Sequence, residues 1–318
     1  MSNPSFGAHT TAEEVATLYS AQISSKTILI TGVSPNGLGL HTALALAPHS
    51  PHLLILAARS PRTLEAAKSA IHAVAPTCPV RLFMLDLSRL AAVREAANEV
   101  LRWKDLDKID VLINNAGVMS TPWETTVDGV EMQFAVNHLG PWLFTNLVMP
   151  KIVAAQGRVV FLSSLGHVYG GVRFEDVNFD DGETYDADVA YGQSKTANIL
   201  TAVALAERMR AKGVTAFSVH PGLVLTNLTR HVPMEVFREK GFVDDAGNLL
   251  VPSKTHSQGC ATTVVAALDP YIAGRSGAYL CDCKVDHGDV WAEHAKGIEN
   301  AEKLWALSEG LVGEKFEC

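Results

Sequence analysis

The chain predicts an α/β fold: a doubly wound, mainly seven-stranded parallel sheet with helices on both faces. Three observations carry this expectation. Short aliphatic runs alternate with helical stretches from residue 26 onward. The runs are apolar on both faces, as strands buried in a parallel sheet are. A glycine-rich turn follows directly on the first run, where a phosphate-binding loop would sit. Alternation repeated this often implies right-handed crossovers, and the spacing leaves no room for a linker. Residues 26–318 therefore read as one domain, preceded by a helical extension over 1–25.

The extension carries a capping-box pattern, Thr11 to Glu14, followed by Val15, Leu18 and Tyr19, expected on one face docked against the core. Strands are expected at KTILIT (26–31), HLLILAA (52–58), VRLFML (80–85), IDVLINN (109–115), GRVVFLSS (157–164), VTAFSVH (214–220) and SGAYLCD (276–282). Helices are expected near 38–47, 62–74, 89–102, 130–154, 191–211 and 257–267. Two segments interrupt the alternation. Residues 165–190 are acidic and turn-rich, and 227–256 mix Met234, Phe237 and Phe242 with charges. Excursions after a strand's carboxyl end commonly cover a ligand crevice, so both are expected to wall a substrate pocket.

Bulk composition narrows the function classes. Of the residues 47% are hydrophobic, enough for a sizeable core, and the formal net charge is −8. That charge, with no basic run, argues against nucleic acid as a partner. No apolar run is long enough for an integral membrane segment, and no signal peptide is evident, so a cytoplasmic location is expected. The five cysteines, at 78, 260, 281, 283 and 318, include no C-x-x-C pair. Two thiols one residue apart at 281 and 283 cannot complete a tetrahedral site, so no metal is expected. The apolar helices at 130–154 and 191–211 could form a homodimer face, or simply bury against the sheet.

The first strand runs straight into Thr31-Gly32-Val33-Ser34-Pro35-Asn36-Gly37-Leu38-Gly39. Glycines let the backbone turn tightly against a pyrophosphate, and a helix N-terminus supplies N–H donors. Gly32, Ser34, Asn36, Gly37, Leu38 and Gly39 are therefore candidate dinucleotide contacts. An NAD enzyme places a carboxylate at the end of the second strand, on the ribose 2′-hydroxyl. Here that position reads Ala57-Ala58-Arg59-Ser60, and an arginine suits a 2′-phosphate. NADP(H) is the expected cofactor. Asp86 and Leu87 follow the third strand; Asp86 suits either the adenine amino group or the N-cap of the next helix. Asn114-Asn115-Ala116-Gly117 ends the fourth, with small residues suited to close cofactor approach.

Tyr191 and Lys195 lie four residues apart on an expected helix, which puts them on one face. A free tyrosine has a pKa of about 10, and an adjacent ammonium is expected to lower it toward the working range. His138, His167 and His220 flank motifs but lack ligand spacing, and read as satisfied polar groups. Trp123 and Trp142 either line the pocket or pack. Tyr169 and Tyr185 lack a lysine four residues on.

Taken in order, the glycine turn, Asp86, the NNAG tetrad, Asn137, Ser163-Ser164, YGQSK and Pro221-Gly222-Leu-Val-Leu-Thr226 resemble the short-chain dehydrogenase/reductase family over residues 26–226. NHLGPW (137–142) and YGQSKTANIL (191–200) are similar to the branch of retinol dehydrogenases and the WW-domain oxidoreductase. The chain departs from the family in two places. Four residues rather than three separate Gly32 from Gly37, and Ser164 and Tyr191 stand 191 − 164 = 27 positions apart.

The resemblance implies a Rossmann-type fold and an oxidoreductase of carbonyl and alcohol groups. Its implied centre is Tyr191 as proton donor or base, Lys195 on the nicotinamide ribose, Ser164 on the substrate oxygen, and Asn137 kinking its helix and holding a water. Ser163 competes with Ser164 but should point to the other face of the strand. Asn115, Ala116, Gly117, Pro221, Gly222 and Thr226 complete the cofactor set, Thr226 meeting the carboxamide. The expected substrate is a moderately apolar ketone, aldehyde or alcohol. The alternatives are an enone or imine reductase, or a regulator that binds NADP(H) without turnover.

Overall fold

All seven aliphatic runs form strands, and they assemble into one sheet with an eighth. The computed structural model describes residues 3–317 except Pro233, Lys240, Leu249, His287 and Asp289, so Cys318 lies outside the described residues. The strands are β1 (Thr27–Thr31), β2 (Leu53–Ala58), β3 (Val80–Met84), β4 (Val111–Asn114), β5 (Arg158–Leu162), β6 (Thr215–His220), β7 (Tyr279–Cys281) and β8 (Lys284–Val285). Their order is β3-β2-β1-β4-β5-β6-β7-β8. Every pair is parallel except β7–β8, which pairs antiparallel through the two-residue turn Asp282-Cys283. Both turn residues have positive φ, +49° and +62°, the backbone of a primed hairpin turn. That hairpin buries Cys283 and leaves Cys281 half-buried.

The helices are α1 (Ala12–Leu18), α2 (Ser20–Ile23), α3 (Leu38–Leu46), α4 (Pro61–Val74), α5 (Leu90–Arg102), α6 (Met132–Phe134), α7 (Gly140–Ala154), α8 (Ala187–Arg208), α9 (Met234–Glu239), α10 (His256–Leu268) and α11 (Ile298–Val312). Alternation along β1 divides the core. Ile28 and Ile30 join the layer containing α1, α3, α4 and α10, while Leu29 joins the layer of α5, α7, α8 and α11. Each such side chain contributes about 1.5–3 kcal/mol by leaving water. At the edge strand β3 two-sided burial fails, and Met84 is exposed.

Several expectations need correction. Thr11 and Glu14 do form the capping box, but Leu18, the last residue of α1, is 52% exposed while Val15 and Tyr19 are buried. The helix bearing Tyr191 starts four residues earlier than expected, at Ala187. Asp186 caps it by accepting from the amides of Asp188 and Val189 at 2.9 and 3.0 Å, so Tyr191 sits in its second turn. Helix α11 had no counterpart in the sequence reading. It covers the apolar face of α7 and α8: Trp305 packs on Trp142 at 5.0 Å, Arg208 lies over Trp305, and Ser308 bonds His138. That face is therefore buried by this chain's own helix.

Candidate active site

Between β1 and β4 the strand order reverses direction, and a crevice opens at the carboxyl ends of the strands. A cavity of about 590 Å³ occupies it. Its floor is the turn from β1 into α3. Gly32 has φ +74°, and a Cβ there would lie 2.6 Å from Ala116 Cα. The extra residue of this turn is absorbed between Ser34 and Gly37: the Gly37 amide donates to the Ser34 carbonyl at 3.0 Å, and Asn36 takes φ +56°. Asparagine tolerates that region better than most side chains. The His256 ring donates to the Asn36 carbonyl at 3.1 Å, turning Asn36 away from the cavity side of the turn.

Gly32, Ser34, Gly37 and Leu38 line the cavity, whereas Asn36 and Gly39 do not. Gly39 serves packing: a Cβ there would meet the Asn115 amide nitrogen at 2.4 Å. That nitrogen donates to the carbonyls of Thr31 and Gly32, at 2.8 and 3.0 Å, while the Thr31 hydroxyl accepts from the amides of Asn115 and Ala116. Asn115, Ala116 and Gly117 thus both line the cavity and clamp its floor to β4.

Arg59 lies exposed at the end of β2, lining the cavity beside Ser60 and Thr63, and has no hydrogen bond or ion pair with another described residue. Asp86 is half-buried and does not line it. Its carboxylate accepts from the Ser88 amide and hydroxyl, at 3.1 and 2.6 Å. Nor does it cap α5, whose Leu90 amide instead donates to Asp128 at 2.9 Å. Leu87 does line the cavity, against Gly140, where a Cβ would come within 2.5 Å of the Leu87 carbonyl.

Ser164, Tyr191 and Lys195 converge at the other end. Ser164 follows β5 in extended conformation and opens a short 3-10 turn, Leu165–Tyr169. Its Oγ accepts from the Gly166 amide at 3.0 Å and hydrogen-bonds the Tyr191 phenol. Ser163 points away, donating to the Lys195 carbonyl at 2.8 Å, as strand alternation requires. Tyr191 is buried against Gly166, where any Cβ would meet the phenol ring at 2.9 Å.

Burial pushes the Tyr191 phenol up to about 12, with the Ser164 hydrogen bond pulling the other way. The expected lowering by Lys195 is therefore not met among the protein's own groups. The lysine ammonium lies 5.4 Å from the ring centroid and donates to the Leu162 carbonyl at 3.0 Å. Burial also pushes Lys195 down, to about 8.

Asn137 does sit in a distorted helix. Residues Ala135–Leu139 form a π turn between α6 and α7, in which the Gly140 amide reaches back five residues to Ala135. Pro141 has no N–H to return to the Asn137 carbonyl four residues earlier. The Asn137 side chain makes three hydrogen bonds. It accepts from the Val118 amide at 2.7 Å and donates to the Val118 carbonyl and the Ser194 hydroxyl, both at 2.9 Å. It does not line the cavity, but Gly117 lies between it and the lysine: a Cβ there would be 3.0 Å from Asn137 Oδ1 and 3.5 Å from Lys195 Nζ.

Pro221, Gly222 and Thr226 close the cavity from β6. Gly222 has φ +86° and lies under the Lys254 stem, and Thr226 caps the next turn by accepting from the Leu228 amide at 3.2 Å. Asn227 reaches across to donate to the Pro35 carbonyl at 3.0 Å. The cavity takes Asn227, Leu228 and Thr229 from the second excursion and no residue from 165–190, although Leu165, Val168 and Tyr169 are exposed next to Ser164.

Trp123 and Trp142 are both packing residues, against Tyr185 and Trp305. Tyr185 donates to the Thr121 carbonyl at 2.9 Å. Lining residues that the sequence did not single out include Thr63, Val118 and Met119. None belongs to a motif; only proximity to one, as with Met119 after the NNAG tetrad, could have signalled them.

A family model described as short chain dehydrogenase matches residues 26–176. Over 96% of its length the chain is 37% identical to short-chain dehydrogenase TIC 32 B, chloroplastic, of Brassica napus, covering 94% of that protein. It is also 37% identical to retinol dehydrogenase 12 of Mus musculus, over 93% of this chain and 89% of the other. Among solved structures, a putative uncharacterized protein from Mycobacterium paratuberculosis superposes with a TM-score of 0.71 at 32% identity, covering 94% of this chain and 98% of that one.

Proposed function

This chain belongs to the short-chain dehydrogenase family, and from that membership we propose that it is an NADP(H)-dependent reductase of a ketone or aldehyde on a moderately apolar small molecule. As a family member it is an oxidoreductase of alcohol and carbonyl groups that uses a nicotinamide cofactor. One observation carries the finer reading. A single cavity is lined at one end by the glycine turn and Arg59 and at the other by Ser164, Tyr191 and Lys195.

The residues suit a dinucleotide. Gly32 and Gly37 bring bare backbone to the cavity wall ahead of α3, where a helix N-terminus favours phosphate. Arg59, uncommitted among the described residues, suits a 2′-phosphate, and no acid stands at the end of β2 to repel one. A nicotinamide cofactor held by these residues would supply the hydride.

In this reading Tyr191 passes its proton to the carbonyl oxygen, and the Ser164 hydroxyl donates a hydrogen bond to the same oxygen as charge develops. Ser164 already accepts from the Gly166 amide, and its own proton, directed at the Tyr191 phenol, would turn to the substrate oxygen when one is bound. Lys195 is assigned to the ribose hydroxyls. Asn137 is assigned to a water-borne proton return to Lys195, through the gap that the missing Cβ of Gly117 leaves. Burial raises the Tyr191 phenol, which keeps it in the protonated form that reduction consumes. Apolar walls from Val118, Met119, Leu162 and Leu223, with exposed Leu165, Val168 and Tyr169 nearby, favour an apolar substrate.

The test is consumption of NADPH and of NADH by the purified protein against a panel of carbonyl compounds. Equal turnover with NADH would remove the Arg59 assignment, and cofactor binding with no turnover on any carbonyl or alcohol would favour a nucleotide-sensing regulator. A cytoplasmic location is part of the same proposal, to be checked by cell fractionation. No helix among the described residues is long and apolar enough to cross a membrane. A homodimer is part of the same proposal, to be checked by the mass in solution; α11 packs on the α7–α8 face where the dimer contact was expected.

A further inference from the structure

We propose that His167 is a positioning residue that holds Ser164 against Tyr191 by tying the turn after β5 to the segment around Ala292. The inference rests on the oxidoreductase reading above. No cofactor or substrate contact is asked of His167: the imidazole is buried and does not line the cavity.

The ring is bound at both nitrogens. Its Nδ1 lies 2.6 Å from the Ser164 carbonyl, which can only accept. Its Nε2 accepts from the Ala292 backbone amide at 3.1 Å. The amide fixes the tautomer: the proton is on Nδ1 and the lone pair on Nε2. Burial, the largest influence on this ring, holds its pKa below the ordinary histidine value and so favours the neutral form.

The rest of the turn is held as well. The His167 carbonyl accepts from His294 Nε2 at 2.8 Å and from the Thr196 hydroxyl at 3.2 Å, and the Leu165 amide donates to His220 at 3.0 Å. Tyr279 of β7 packs edge-on to the His167 ring at 5.2 Å. At Gly166 the turn is flush against the catalytic phenol, with no room for a side chain. Movement of the turn away from Ala292 would therefore shift Ser164 Oγ relative to the Tyr191 hydroxyl. Misplacement of a reacting group by about 1 Å can cost around 100-fold in rate.

Three variants and one spectrum test this. His167→Ala should lower kcat about 100-fold while NADPH affinity, read by fluorescence titration, stays unchanged. His167→Asn, which keeps a donor near the Nδ1 position, should recover part of the loss. Ala292→Pro, at a residue whose φ is already −61°, replaces the amide hydrogen by a ring carbon that cannot fit against Nε2, so it breaks the tie from the other partner and should likewise lower kcat. If His167 acts through Ser164, His167→Ala costs nothing further in a Ser164→Ala background.

Independent losses that multiply in the double variant would overturn the proposal, as would a full-rate Ala292→Pro enzyme. Nitrogen NMR of the imidazole judges the tautomer without turnover, and a proton on Nε2 would equally overturn it. Absence of wild-type turnover on every carbonyl would instead sink the oxidoreductase reading, which these outcomes keep separate.

Discussion

The two ends of the cavity are built by different means. The glycine turn from β1 to α3 is shaped by backbone: Gly32 touches Ala116, Gly39 touches Asn115, and Thr31 ties the strands together. The reacting end is shaped by burial and side-chain bonds: Lys195 on the Leu162 carbonyl, Asn137 on Val118, and the Ser164 turn on Tyr191. A backbone site depends on what is missing from its residues, namely Cβ atoms. A buried site depends on groups whose chemistry the surroundings have altered. Substitutions at the two ends should therefore fail differently.

The largest effect is expected at the reacting end. Tyr191→Phe should lower turnover by on the order of 10²–10⁴ while leaving NADPH affinity near normal. Steady-state kinetics beside a cofactor titration would check it, and retained turnover would remove the proposed acid. Gly32→Ala should do the reverse, weakening cofactor binding along with the fold. Left-handed strain and the 2.6 Å approach to Ala116 together should cost about 2–5 kcal/mol, read by denaturant unfolding. An unchanged midpoint would mean the turn relaxes easily.

Arg59→Ala should lower the preference for NADPH over NADH by about 10- to 100-fold, the range of one or two charge-assisted hydrogen bonds, without changing kcat. A preference that stays put would detach Arg59 from the 2′-phosphate.

The smallest expected effect is a pH trend in stability. The buried Lys195 has a folded pKa near 8 against an unfolded value near 10.5, so its charge destabilises the folded state below pH 8. That penalty fades as pH rises from 8 toward 10.5. Lys195→Met should raise Tm by a few degrees at pH 7, with the gain shrinking through that window, although turnover is lost. The Leu162 carbonyl keeps a partner in the variant, since Asn198 donates to it at 2.9 Å. A gain that does not vary with pH would mean packing rather than charge is responsible.

Legibility in the sequence followed the same division. The β1–α3 turn could be read because glycine spacing after an apolar run has few other causes, although which glycines face the cavity could not: Gly39 packs against Asn115 instead. Ser164 could be separated from Ser163 by strand alternation alone, and the separation holds. Asp86 could not be resolved, because its carboxylate is taken by Ser88, two residues away. His167 was legible as a satisfied polar group and nothing more, since its second partner, Ala292, is 125 residues distant.

The sequence by itself determined the strand–helix alternation, the glycine turn and the tyrosine–lysine pair, because each is a local pattern with a local physical cause, and the family, because its motifs appear in order. Tertiary structure alone decided that the phenol is raised rather than lowered, that Lys195 faces the Leu162 carbonyl, and that α11 covers α7 and α8. Desolvation and long-range contact are properties of what surrounds a residue after folding, and neither spacing nor composition records them.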